Sequence, residues 1–253
     1  MSESIHEPAG TVLVTGGSRG IGAATCRLAA RRGWAVAVNY ARDGAAAEAV
    51  VAAIAEAGGR AIAVQADVAV DAEVRAMFAA IDRSGLPPLA GLVNNAGVVD
   101  LPGRVDAMSV ERLQRMFAIN VFGSFYCARE AILRMKAKKG GAIVNLSSAA
   151  AKLGGGGQYV DYAAAKGAID SFTLGLAREV AGDNIRVNAV RPGIIATDIH
   201  ASGGAPDRAA EMAPLVPLKR AGTSEEVAEA IVWLLSGASS YTTGSIVEVT
   251  GGR

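Results

Sequence analysis

Val12-Leu13-Val14-Thr15-Gly16-Gly17-Ser18-Arg19-Gly20-Ile21-Gly22 is an apolar run that passes through a glycine-rich turn into an alanine-rich helical stretch. Glycines at such a turn take positive φ at little cost and leave no side chain between the backbone amides and a ligand. The N-terminus of the following helix adds partial positive charge, so strand, turn and helix together form a cradle for a pyrophosphate. The spacing GxxxGxG differs from the general GxGxxG dinucleotide pattern, so the turn has to be weighed together with the motifs downstream of it. Gly16, Ser18, Arg19, Gly20 and Ile21 are its candidate phosphate-side residues.

Outward from this turn, short β-rich runs alternate with helical stretches to the end of the chain. Strands are expected at Thr11–Thr15, Ala35–Asn39, Ala61–Gln65, Gly91–Asn94, Ala142–Leu146, Arg186–Val190 and Ile246–Val249. Helices are expected near Ile21–Arg32, Gly44–Ala57, Asp71–Arg83, Ser109–Lys138, Tyr159–Ala181 and Ser224–Leu235. Such alternation is the signature of an α/β fold, here a doubly wound (Rossmann) seven-stranded parallel sheet with helices on both faces. One domain of 253 residues is expected. The rhythm breaks only at Asp198–Lys219, where Gly203, Gly204, Pro206, Pro214 and Pro217 mark a long irregular segment, read as a substrate lid.

Composition narrows the ligand classes. Apolar residues make up 51% of the chain and aromatic residues 5%, so stacking platforms for single-stranded nucleic acid are scarce. Lys and Arg total 25 against 24 Asp and Glu, which leaves no field for a polyanion or a membrane surface. A small molecule is the expected partner. Cys26 and Cys127 fall in helical stretches without metal-type spacing and read as small buried hydrophobes of a reducing compartment, with no metal site expected. Met1–Gly10 carries Glu3, His6, Glu7 and Pro8 where a signal peptide needs a basic and then an apolar run, so a cytoplasmic location is expected.

The Thr15–Gly22 run closely resembles the cofactor turn of the short-chain dehydrogenase/reductase family, including its glucose 1-dehydrogenase-like and 3-oxoacyl-carrier-protein-reductase-like members. A fold of this kind that takes NAD usually carries an acid at the end of its second strand, to bind the ribose hydroxyls. Here the strand ends Asn39-Tyr40-Ala41-Arg42. Asn39 in place of the acid removes repulsion against a 2′-phosphate, and Arg19 and Arg42 are placed to pair with it. NADP(H) is therefore the favoured cofactor and NAD(H) the alternative. Asp43 reads as a helix cap rather than as the missing acid. The resemblance implies that Asp67 and the Val68 amide meet the adenine, and that Asn94, Ala96 and Gly97 form the floor beneath the adenine ribose.

Tyr162 and Lys166 stand four residues apart in Tyr159-Val160-Asp161-Tyr162-Ala163-Ala164-Ala165-Lys166, on one face of a helix. A free tyrosine titrates near ~10, and a neighbouring ammonium stabilises its phenolate and lowers that value. Upstream, Asn145-Leu146-Ser147-Ser148 ends the fifth strand, where ligands of open α/β sheets bind. The family resemblance implies that Ser148 holds the substrate oxygen, that Tyr162 is the acid/base and that Lys166 also bonds the nicotinamide ribose. Ser147 stays open as the alternative, because Gly154–Gly157 leaves the loop register undetermined. Asn120 is a polar residue in an apolar helical run, which the resemblance casts as holding a water that links Lys166 to solvent; the plain alternative is a local backbone contact. Pro192 and Gly193 force a turn after the sixth strand, and the resemblance assigns Ile195 and Thr197 to the nicotinamide side.

The resemblance spans Thr11–Gly252 and implies an NAD(P)-dependent oxidoreductase acting on a carbonyl or alcohol. A catalytically silent cofactor sensor or scaffold is the non-enzymatic alternative, and a lyase or epimerase using the cofactor transiently is a third. The lid, with His200, Met212 and Leu215, admits a sugar, a steroid, an acyl thioester or a small ketone. The long helices and the Tyr241–Gly252 tail resemble the family's subunit contacts, implying a homotetramer.

Overall fold

The computed structural model describes residues 10–197, 204 and 207–253. Strands β1 (Thr11–Val14), β2 (Ala35–Tyr40), β3 (Ala61–Gln65), β4 (Leu89–Asn94), β5 (Gly141–Leu146), β6 (Ile185–Pro192) and β7 (Ile246–Val249) form one sheet in the order β3-β2-β1-β4-β5-β6-β7. Every pairing is parallel. A parallel sheet needs cover on both faces, and the strands supply apolar side chains to both. Val12, Val14, Val36, Val38 and Val144 pack against α1 (Gly20–Arg31), α2 (Gly44–Glu56) and, in the C-terminal third, Ser224–Leu235. Leu13, Ala37, Leu92, Ile143 and Val187 face α3 (Asp71–Arg83) and the long helices that follow β4 and β5.

From β1 the chain winds outward through β2 and β3, then returns to place β4 on the other side of β1. This reversal opens a crevice at the carboxyl ends of β1 and β4, the place where open α/β sheets bind ligands. The glycine turn borders it on one side and the Asn94–Gly97 stretch on the other.

Local structure departs from expectation at four places. The stretch Ser109–Lys138 is not one regular helix: α4 (Val110–Phe117) and α5 (Gly123–Lys138) are joined by a π turn at Ala118–Phe122. Asn120 lies inside that turn and donates to the Met116 carbonyl at 3.0 Å, competing with the regular backbone ladder. Between β5 and α7 (Val160–Val180) a single helical turn, α6 (Ala150–Leu153), precedes the glycine run. Strand β6 continues through Pro192, which pairs with Val249, so the turn begins at Gly193. Within the segment read as a lid, α8 (Arg208–Met212) and a 3₁₀ turn at Ala213–Leu215 are helical. The remainder of that segment at 198–203 and 205–206, His200 included, lies outside the described residues.

Helix ends show which termini are closed. Asp43 caps α2 by accepting from the Ala46 amide at 3.0 Å, as its position after the strand suggests. The last helix, α9 (Ser224–Leu235), starts with a Thr223–Glu226 capping box. By contrast α1 begins after Arg19 with no side-chain cap and no acidic residue in its first turn. Cys26 and Cys127 are free and buried, and burial pushes the Cys127 thiol up to about 12. Among the described residues no helix is long and apolar enough to cross a membrane.

Candidate active site

Two asparagines and a threonine hold the glycine turn in shape. Asn39, at the end of β2, accepts from the Gly16 amide at 3.2 Å while its own amide donates to the Ala66 carbonyl at 3.0 Å. Asn95 donates to the carbonyls of Thr15 at 2.8 Å and Gly16 at 3.0 Å. The Thr15 hydroxyl accepts from the amides of Asn95 and Ala96, both at 3.0 Å. Gly16 and Gly20 have φ of 60° and 53°, and a Cβ on Gly22 would stand 2.2 Å from the Gly16 carbonyl oxygen. The turn thus leaves the first amides of α1 uncapped and unshielded, and a dinucleotide pyrophosphate fits that cradle. Thr197 lies across from it, its methyl 3.5 Å from where a Gly20 Cβ would be. Ser18 and Ile21 are half-buried at the turn, and Arg19 is exposed.

Two expectations are corrected here. Asn39 is 2% exposed with its amide spent on backbone groups, so it is a tie beneath the turn rather than a rim residue replacing a ribose-binding acid. The strand runs one residue further than read, and the side chains that emerge at its end are half-buried Tyr40 and exposed Arg42. Asn94 pairs with Asn145 inside the sheet and donates to its Oδ1 at 2.9 Å, continuing into Asn145–Thr173 at 2.9 Å. It is therefore buried in a polar chain, and the residue that reaches the cleft is its neighbour Asn95. In β2 side chains alternate between faces, so ending the strand one residue short exchanges a buried group for an exposed one, while in β4 the strand end is as expected and the next residue along is the one that reaches the cleft.

Farther along the rim, Asp67 is half-buried, and its Oδ1 accepts from the Ala69 amide at 2.9 Å in a local turn. The Val68 side chain is buried against Gly123.

A cleft of about 400 Å³ runs from this turn across the ends of β4, β5 and β6. It brings together Ile21, Gly97, Ser148, Tyr162, Lys166, Pro192, Gly193, Ile195 and Thr197. Ser147 also borders it, but Ser147 is 3% exposed and its hydroxyl donates to the Lys166 carbonyl at 3.3 Å. Ser148 is half-buried and its hydroxyl is the one that interacts with Tyr162. Helix α7 carries both Tyr162 and Lys166 into the cleft, and the ammonium lies 5.6 Å from the phenol ring centroid.

The electrostatics differ from a simple ammonium–phenolate pair. Burial raises the Tyr162 pKa, with the Ser148 hydroxyl pulling it back down. Burial also lowers Lys166 to about 8, opposed by the Asp170 carboxylate one helical turn on. The Lys166 ammonium donates to the Leu146 carbonyl at 2.7 Å. Gly97 permits the closeness behind it: a Cβ there would stand 2.8 Å from Asn120 Oδ1 and 3.5 Å from Lys166 Nζ. Asn120 itself is 1% exposed, accepts from the Val98 amide at 3.2 Å and donates to the Val98 carbonyl at 3.0 Å.

Several cleft residues are not apparent from motif reading: Asn95, Gln158, Tyr159, Arg208 and Arg253. Only Asn95 leaves a signal in the sequence, as the first residue past a strand end. Gln158 and Tyr159 depend on the fold of the glycine run, and the arginines on long-range packing. Among the described residues no group of three or more His, Cys, Asp or Glu is placed to hold a metal ion.

Comparison with known proteins agrees with this geometry. A family described as enoyl-(acyl carrier protein) reductase matches residues 16–253. The chain is 53% identical over 244 residues to the uncharacterized oxidoreductase YgfF of Escherichia coli K12, covering 95% of this chain and 98% of that one. It is 40% identical over 242 residues to a 3-oxoacyl-[acyl-carrier-protein] reductase of Synechocystis, covering 95% of both. A solved short-chain dehydrogenase/reductase of Serratia marcescens, a double mutant, superposes with a TM-score of 0.88 at 35% identity, covering 96% of this chain and 97% of that one.

Proposed function

Because the chain belongs to the short-chain dehydrogenase/reductase family of oxidoreductases, we propose that it transfers a hydride between NADP(H) and the carbonyl or alcohol carbon of a small molecule, with Tyr162 as acid/base. The observation that carries this reading is the convergence of Ser148, Tyr162 and Lys166 with the glycine turn in one cleft.

Ser148 donates a hydrogen bond to the substrate oxygen and holds it against the Tyr162 hydroxyl. Burial keeps Tyr162 protonated at neutral pH, so in reduction it delivers its proton to the oxygen as negative charge develops there. One Lys166 proton is committed to the Leu146 carbonyl, which leaves others to hold the ribose of the nicotinamide half. Asn120 Oδ1, which keeps a lone pair beyond its bond from the Val98 amide and lies close to Gly97 and Lys166, holds a water that links Lys166 to solvent. Pro192, Gly193, Ile195 and Thr197 bound the nicotinamide side. Asp67 and Val68 border the adenine, while Ala96 and Gly97 line the ribose floor.

NADP(H) over NAD(H) is supported by the lack of a carboxylate among Tyr40, Ala41 and Arg42, which emerge at the end of β2, and by the exposure of Arg19 and Arg42. The same reading makes the protein a homotetramer, joined through the α4–α5 and α7 faces and the Tyr241–Gly252 tail.

Fluorescence titration with NADPH and NADH, followed by NADPH absorbance decay over a panel of aldehydes and ketones, tests the proposal. Tighter NADPH binding and carbonyl-dependent oxidation are expected. Binding without turnover on any carbonyl or alcohol would overturn the enzymatic part, and tighter NADH binding the cofactor part.

A further inference from the structure

The charged side chains lining the described part of the cleft are Lys166, Arg208 and Arg253, and none is acidic. Lys166 sits at the base and is committed to the Leu146 carbonyl. Arg208 lies over the Tyr159 ring, 5.1 Å from its centroid, and donates to the Gln158 side-chain oxygen at 3.1 Å. Arg253 differs from both: one terminal guanidinium nitrogen, Nη1, is buried and has no hydrogen-bond partner among the described residues. A buried donor on a permanently charged group is costly to leave unpaired, and a ligand oxygen entering the cleft is one way to satisfy it.

The backbone before Arg253 is shaped to bring it there. Gly251 and Gly252 both have positive φ, 65° and 93°. A Cβ on Gly251 would come 2.7 Å from Val216 Cγ1, and one on Gly252 would come 3.1 Å from Pro217 Cβ. The turn therefore tucks tightly under the Val216–Leu218 stretch, held by the Leu218 amide donating to the Gly251 carbonyl at 3.1 Å. A turn that only glycine adopts without strain thus carries an arginine into the cleft that holds Tyr162.

We propose that Arg253, with Arg208 at the mouth, forms a carboxylate-binding subsite, and that the substrate is an oxo acid or hydroxy acid whose carboxylate is held there while its carbonyl or hydroxyl lies at Tyr162. This rests on the oxidoreductase reading and adds the substrate class. The planar guanidinium matches a carboxylate in shape and charge. A cleft of about 400 Å³ that must also take a nicotinamide leaves room for a compact acid, and apolar Val99 and Leu153 suit a short aliphatic body.

The test compares 3-oxobutanoate and 4-oxopentanoate with their methyl esters, by kcat/KM with NADPH and by calorimetric binding of the acids. Wild type should favour an acid over its ester. In Arg253→Gln the acid-to-ester ratio of kcat/KM should fall about tenfold or more, as expected when one charge-assisted hydrogen bond is lost, with the change mainly in KM. Arg253→Lys should recover part of the ratio. A ratio equal in wild type and Arg253→Gln, or a loss of NADPH affinity alone, overturns the subsite while leaving the oxidoreductase reading intact. If no compound is reduced, calorimetry still decides: acid binding weakened in Arg253→Gln upholds the carboxylate subsite and overturns only these acids as substrates, whereas equal or absent binding overturns the subsite.

Discussion

Lys166 shows what burial does to a single side chain. It is 4% exposed, and its pKa falls from the ordinary 10.5 to about 8. Between those values the unfolded chain binds a proton that the folded chain does not, so this site's contribution to stability rises with pH across the interval. Wild type should therefore gain on Lys166→Met by on the order of 1 kcal/mol per pH unit within that window. Urea titrations of both proteins at several pH values measure it, and parallel pH dependences would show that Lys166 is not desolvated. The titrations of Cys26 and Cys127, both raised by burial, cancel in this difference. That Tyr162 and Lys166 share one face was legible from helical spacing, whereas their roles came from the family resemblance and the motifs around them. What sequence could not show is that the ammonium bonds the Leu146 carbonyl, so that burial rather than charge pairing sets the Tyr162 titration. Asn39 and Asn94 were misplaced for a different reason: both are the right residue type at a strand end, and only the register decides which way they point.

At the scale of elements, α7 is anchored by an ion pair next to Tyr162. Arg112 of α4 donates from Nε to Asp161 Oδ2 at 2.8 Å and from a terminal nitrogen to Oδ1 at 3.1 Å. The Asp161 side chain is fully buried, so Arg112→Ala strands a carboxylate and should destabilise the fold by about 3–5 kcal/mol. Adding Asp161→Asn removes the buried charge and should restore part of that loss; chemical denaturation of the single and double variants checks both. A double variant no more stable than Arg112→Ala would locate the cost in lost packing instead. Neither residue stands out in the sequence, since 49 positions separate the partners. The π turn at Ala118–Phe122 was hidden for a related reason, because one widened turn hardly disturbs the apolar period of the long helix. Strands and major helices were legible because period-2 and period-3.6 patterns alternate cleanly, whereas α6 and α8 are too short to carry a period.

For the whole molecule, the alternation of elements gives a parallel sheet, and its strand order sets the crevice where the candidate site lies. The outer surface carries the assembly proposal. Phe122, Phe125, Leu133 and Leu174 are exposed on the long helices, and Phe125 stacks on Phe172 with centroids 3.8 Å apart. Apolar groups gathered on one face are suited to subunit contact. Multi-angle light scattering should give four times the 25.6 kDa chain mass, and Phe125→Glu with Leu133→Glu should lower it. A monomer at working concentration would remove the tetramer. The central claim remains that Tyr162 moves the proton in a nicotinamide-dependent carbonyl reaction. Its most direct test is the turnover of Tyr162→Phe beside wild type on a carbonyl that wild type reduces, with NADPH affinity measured on both. The expected result is a fall in kcat of roughly 10²–10⁴-fold, the usual contribution of a general acid, at nearly unchanged NADPH affinity. Turnover by Tyr162→Phe close to that of wild type would contradict it.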